Sequence, residues 1–209
     1  MPPDATPGDA VIETVTGSIT SLGFSSGHRF VIGNWTSSPV GALSDVMWAQ
    51  PDGRRVLLAP EHGADYITSI YTFDEVRPQP VEVTDSDVSV SVSTGDLRLS
   101  IDLSSFVAPF PPRPRFVTAT VENWMARALL GIRTHGVSPT GVEEWYRTRK
   151  LSRVRSAAGT LGEVDLGELR PVERPLGFGF TDPPRPPCQT ILKVDLIRIR
   201  PGRQEDRAN

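Results

Sequence analysis

Residues 29–60, RFVIGNWTSSPVGALSDVMWAQPDGRRVLLAP, decide the fold class. The stretch reads as three short strands, of which the last two make a hairpin. Val46-Met47-Trp48-Ala49-Gln50 is apolar and strand-prone. Pro51-Asp52-Gly53 then supplies the turn chemistry. Proline presets φ at the second turn position, the Asp52 side chain can bond its own backbone, and Gly53 can take a positive φ. Arg54 to Leu58 returns as a strand that ends at Pro60. On the first strand Phe30, Ile32 and Asn34 fall on one face, and Val31, Gly33 and Trp35 on the other. The stretch holds no catalytic or cofactor signature.

Outward from this hairpin the β signal continues. Val11 to Leu22 is β-branched and reads as one strand interrupted at Gly17, or two short ones. Val88, Val90 and Val92 alternate with serines, and beyond Ser93-Thr94-Gly95-Asp96 the residues Leu97, Leu99, Ile101 and Leu103 alternate with polar ones. That period of two predicts a second hairpin with one wet and one buried face. Thr190 to Arg200 reads as a long closing strand. Pro78 and Pro80 interrupt Val76–Val83, so any strand there belongs at a sheet edge. Tyr66–Phe73, Phe116–Val121 and the Gly/Phe alternation Leu176–Phe180 are further strand candidates, while Glu61–Tyr66 fits no single period.

The period changes in the second half. Trp124, Met125, Ala128, Leu129 and Ile132 fall at helical spacing, which predicts a short helix over 123–132. Thr140-Gly141-Val142-Glu143 has the form of a capping box, so 142–155 reads either as a second helix or as a strand. The expected fold is mainly β, a largely antiparallel barrel or sandwich of nine or more strands, with one or two short helices in the second half. Residues 1–9 form a Pro/Asp/Gly-rich tail, 10–200 a single β-rich domain, and 201–209 a polar tail.

Composition removes several function classes. Net charge is −3, against the positive field that nucleic-acid binding requires, so no nucleic acid is expected as partner. No apolar run approaches the ~18 residues of a membrane span, and MPPDATPGDA has neither the basic nor the apolar region of a signal peptide. Cys188 is the single cysteine, so no disulfide forms within the chain. The expected location is the cytoplasm. No phosphate-binding loop, dinucleotide fingerprint, G-x-S-x-G elbow or metal-ligand spacing occurs, so no cofactor and no metal are expected.

Gly33-Asn34-Trp35 has the G-x-W form that lipocalins carry on their first strand. The resemblance implies a barrel closed at one end by a tryptophan. It assigns no residue roles, and the cysteine pair of the lipocalin pattern is absent.

Several groups carry candidate chemistry. Glu61-His62-Gly63-Ala64-Asp65 can place an imidazole and two carboxylates on one turn, suited to a metal or a general base; a polar loop is the plainer reading. His135 reads as a loop histidine. If 142–155 is a strand, Arg147, Arg149, Arg153 and Arg155 form a row that can clamp an anion, or else a solvated face. Lys193 can in principle form a Schiff base, but it reads as an outward-facing lysine guarding an edge strand. The function expected is a barrel that holds a small, partly apolar ligand, an anionic one included. Trp35, Trp48 and Trp124 would be its walls, with Arg147, Arg149 and His62 at its polar end. The alternatives are an enzyme of lyase, isomerase or hydrolase type using a histidine with carboxylates, and a sandwich module without a pocket.

Overall fold

The computed structural model describes residues 10–109 and 135–199. The helix expected over 123–132, the strand at Phe116–Val121 and Trp124 lie outside them. The strands are β1 (Ala10–Phe24), β2 (Arg29–Ser37), β3 (Leu43–Ala49), β4 (Arg55–Ala59), β5 (Glu75–Pro78), β6 (Glu82–Asp85), β7 (Ser89–Thr94), β8 (Leu97–Pro109), β9 (His135–Val137), β10 (Glu143–Leu161), β11 (Val164–Asp165), β12 (Leu169–Arg170) and β13 (Cys188–Ile199). Helix α1 (Glu61–Thr68) follows β4. All the strands join one sheet of order β5-β4-β3-β2-β1-β13-β10-β8-β7-β6. Its pairings are antiparallel except β4 with β5.

The protein is therefore mainly β, and the sheet is curled. Strands β5 and β6 stand at opposite ends of it, yet Pro78 and Glu82 are only four residues apart. Four residues of chain reach at most ~14 Å, so the two ends must turn toward each other. The link is fastened at this point: Gln79 Nε2 donates to Thr94 Oγ1 (2.7 Å), which donates to the Pro80 carbonyl (2.8 Å). Prolines 78 and 80 thus mark the two edges, as read. Because neighbours in the sheet are not consecutive in sequence from β1 to β13 to β10 to β8, the topology is not the up-and-down barrel of lipocalins.

Curling gives the sheet a concave face filled by one apolar cluster. Phe30, Ile32, Val46, Trp48, Val56 and Leu58 from one arm meet Val90, Val92, Leu97, Leu99, Ile101 and Leu103 from the other. Both expected hairpins are present, with Trp48 opposite Val56 and Val92 opposite Leu99. At the first, Gly53 takes φ +90°, its N–H reaches the Gln50 carbonyl, and Asp52 Oδ1 accepts from the Arg54 N–H.

The convex face is covered differently. Val31, Met47 and Leu57 pack there against α1 and against Val172, Leu176 and Phe178 of the long link from β12 to β13. Helix α1 occupies part of the stretch read as strand-like. Pro60 stands at its N-cap, Glu61 is in its first turn, and Gly63, Ala64 and Ile67 form its buried stripe at helical spacing. The one helix among the described residues thus lies in the first half of the chain. Tyr66–Phe73 and Leu176–Phe180 are not strands.

Residues 142–155 resolve in favour of strand, and the reason is two-sided pairing: β10 is held between β13 and β8. The arginine row is nevertheless broken. Thr148 pairs with Leu192, but Lys150 pairs with Ile191, so Arg149 is an extra residue. Such a bulge reverses the alternation of faces beyond it. Arg147, opposite Lys193, and Arg153, opposite Cys188, consequently lie on opposite faces. Lys193 is not on an edge either, because β13 is flanked by β1 and β10.

Candidate functional site

A cavity of about 120 Å³ lies on the convex face. Five neighbouring strands form its floor through residues of one parity. Ile19 comes from β1, Val31, Gly33 and Trp35 from β2, Asp45 and Met47 from β3, Tyr146 and Thr148 from β10, and Thr190 and Leu192 from β13. Tyr71, just beyond α1, and Phe178, Gly179 and residues 181–184 of the covering link cover it in part. Phe178 and Phe73 pack ring to ring at 5.6 Å, and a Cβ on Gly179 would stand 2.8 Å from the Tyr71 ring, so a glycine is needed where the link crosses that tyrosine. Among the described residues, no lysine, arginine or histidine lines the cavity.

At the inner end sits Asp45, with 1% of its surface exposed. It is paired across the β2–β3 ladder with Gly33, and Trp35 lies two residues farther along the same face. Trp35 Nε1 donates to Asp45 Oδ1 at 2.8 Å. The bond passes over Gly33: a Cβ there would clash with Asp45 Oδ1 and stand 2.5 Å from Trp35 Nε1. The G-x-W triplet is thus read physically as a glycine that clears room for an indole to reach a buried carboxyl. Asp45 Oδ2 is buried with no hydrogen-bond partner. Burial pushes the Asp45 pKa up to about 7, and the Trp35 hydrogen bond offsets only part of that rise.

A second buried carboxyl stands beside the cavity. Glu144 Oε2 lies 2.6 Å from the Tyr71 hydroxyl and 2.8 Å from that of Tyr146, and the two tyrosine hydroxyls are 2.7 Å from each other. Three oxygens therefore make three mutual contacts, each of which needs a proton. The hydroxyls supply two, so the third belongs to Glu144. A protonated carboxyl closes the ring; a carboxylate leaves two oxygens facing each other without a hydrogen between them. Burial points the same way, lifting the Glu144 pKa to about 7 against the tyrosine hydrogen bonds that would lower it. Burial first, and then the adjoining acidic groups, holds both tyrosine pKa values well above the usual range.

Of the described residues expected to share one pocket, Trp35 alone lines this cavity. Trp48 lies on the other face of the sheet, in the concave core, where its Nε1 donates to His28 Nδ1 at 2.9 Å and the Arg77 guanidinium sits 5.6 Å over its ring. Arg147 also faces away, bonded to Asp195 at 2.6 Å. Arg149 is the exposed bulge residue, and His62 is exposed on α1 with Glu61 and Asp65. His135 stacks on Trp145 with ring centres 3.8 Å apart and bonds Glu143 Oε1 at 2.7 Å, outside the cavity. Asp45, Glu144, Tyr71 and Tyr146 were not among the expected site residues. The available signal was parity: Asp45 shares its strand face with Leu43 and Met47, an acid placed where an apolar residue belongs.

No family model matches the chain, and no curated protein matches it in sequence. Among solved structures it is similar to an acetoacetate decarboxylase from Legionella pneumophila, with 7% identity, a TM-score of 0.44, and 94% of this chain and 88% of that one covered. A second acetoacetate decarboxylase structure shares 10% identity, with a TM-score of 0.40 over 89% of this chain and 84% of the other.

Proposed function

We propose that this protein binds a small, partly apolar molecule in the convex-face cavity. One observation carries the reading: an apolar-walled space of about 120 Å³ ends at a buried carboxyl whose Oδ2 has no partner. A buried polar atom left unpaired costs roughly 1–3 kcal/mol, and a ligand that bonds it recovers that cost. An apolar cavity of ~150 Å³ holds benzene, so the ligand here has about six heavy atoms. The anionic ligand expected from Arg147 and Arg149 meets no counter-charge among the described lining residues, whose titratable members are acidic or phenolic. A panel of small alcohols, amines, ketones and acids, screened by ligand-observed NMR against the protein and against Ile19→Trp, tests the reading. Binders that lose their signal in the filled variant support it. A panel that gives no binder, or binders indifferent to the filling, refutes it.

A catalytic reading is favoured by one further feature, the near-neutral pKa of Asp45. A carboxyl so poised takes or gives a proton at working pH. The acid or base in this cavity would be a carboxyl, not the histidine that the sequence suggested, because no histidine is among the described residues that line it. Exchange of a carbon-bound hydrogen of a bound ketone with deuterated solvent, abolished by Asp45→Asn, is the measurement that separates catalysis from binding.

A further inference from the structure

We infer that the ligand of this cavity is a small organic cation, an alkylammonium of about six heavy atoms, whose positive nitrogen meets Asp45. The inference rests on the binding reading above and narrows it to a chemical class.

Three observations converge on charge. Asp45 is enclosed, its Oδ1 is used by Trp35, and its Oδ2 is free to accept. Among the described residues around the cavity there is no basic side chain to neutralise a carboxylate. Four aromatic residues, Trp35, Tyr71, Tyr146 and Phe178, line the same space. Aromatic rings around one carboxylate are the chemistry that receives an ammonium group, because ring quadrupoles and the anion act on the cation together.

The rival ligands fit less well for stated reasons. A neutral alcohol satisfies Oδ2 as a donor but leaves the carboxylate charge uncompensated in a buried site. A carboxylic acid brings a second negative charge beside Asp45, with Asp182 also on the lining. An ammonium supplies both the donor and the counter-charge. The size limit excludes polyamines and favours one compact apolar group on the nitrogen.

Isothermal titration at pH ~8, above the Asp45 value, with cyclopentylamine, cyclopentanol and cyclobutanecarboxylate, tests this. The amine is expected to bind at least ~10-fold more tightly than the alcohol, a difference of about 1.4 kcal/mol, and the acid not to bind. Asp45→Asn is expected to erase the amine's advantage over the alcohol. Alcohol or acid binding as well as or better than the amine overturns the cation inference and leaves the cavity reading standing. An amine advantage that persists in Asp45→Asn overturns it equally, since the charge would be met elsewhere. If none of the three binds, the cavity reading falls and the inference with it. The ranking in the unmodified protein decides the question even if the variant fails to fold.

Discussion

Replacing Asp45 by asparagine should make the protein relatively more stable as the pH rises. Asp45 ordinarily loses its proton near 3.8, and in the folded chain near 7. Between those values the folded state keeps a proton that the unfolded state has released. Folding is then linked to proton uptake, so stability falls as pH rises through the window and levels off above about 7. At ~1.4 kcal/mol per pH unit the whole window amounts to roughly 4 kcal/mol, an upper figure because local relaxation and water entry reduce it. Asparagine has no proton to lose. Its side-chain oxygen still accepts from Trp35 Nε1, and its NH2 replaces the unpaired Oδ2 at a cost of about 1–3 kcal/mol that does not vary with pH. The decisive quantity is therefore the change in the stability difference, not its value at one pH. Glu144 titrates in both proteins and cancels. Urea melts of the two proteins at pH ~4 and ~8 should show that difference moving in favour of the variant by up to ~4 kcal/mol. Two profiles that stay parallel within ~0.5 kcal/mol would mean that Asp45 titrates as an ordinary surface acid, and that the buried site does not exist as described.

Three other outcomes follow from the geometry. Gly33→Ala puts a methyl against Asp45 and Trp35; overpacking costs ~1–3 kcal/mol, read in the same melts and accompanied by a change in Trp35 fluorescence. Leu99→Ala or Ile101→Ala, each opening the concave core, should cost about 2–5 kcal/mol. All three tyrosines have pKa values raised by burial. Near-ultraviolet absorbance should then show no phenolate at pH ~11 while the chain is folded, and a step of three on unfolding; an early step for Tyr71 or Tyr146 would contradict the ring.

The legibility of this fold followed from how local each signal was. The two hairpins were readable because turn chemistry and period-two alternation act within a few residues, at Pro51-Asp52-Gly53 and at Val90 to Ile101. The face assignment on β2 was readable for the same reason, Phe30 and Ile32 inward and Val31 and Trp35 outward. What failed depended on partners distant in sequence. The arginine row needed strict alternation through Arg149, and only pairing with β13 creates the bulge that breaks it. Trp48 was grouped with Trp35 because both are tryptophans, although register puts them on opposite faces. The site itself is assembled from β3, β10 and the segment just beyond α1, so Asp45, Glu144 and Tyr71 share no local motif. Their trace in the sequence is a mismatch, acids at buried parity, which becomes informative only when the strand's inward face is known.

Infrared spectroscopy can read the proton on Glu144. Its oxygen and the hydroxyls of Tyr71 and Tyr146 form a closed ring with contacts of 2.6–2.8 Å. Because two hydroxyl protons cannot fill three contacts, the closed ring exists only with Glu144 protonated. The folded value near 7 lies above the ordinary 4.5, so the proton is held below about pH 7 and lost above it. Stability linked to it is full at pH below 4.5 and declines by roughly 3 kcal/mol as pH rises to 7. Once the proton leaves, both hydroxyls turn to the carboxylate, and the tyrosine oxygens must separate. Infrared difference spectra between the wild type and Glu144→Gln report this directly. At pH ~6 the wild type should show the carbonyl stretch of a protonated carboxyl that the variant lacks, and that band should vanish by pH ~8 and give way to carboxylate bands. A carboxylate signature for Glu144 already present at pH ~6 would break the proton count. It would also break the ring, and with it the arrangement of the two tyrosines that wall the cavity.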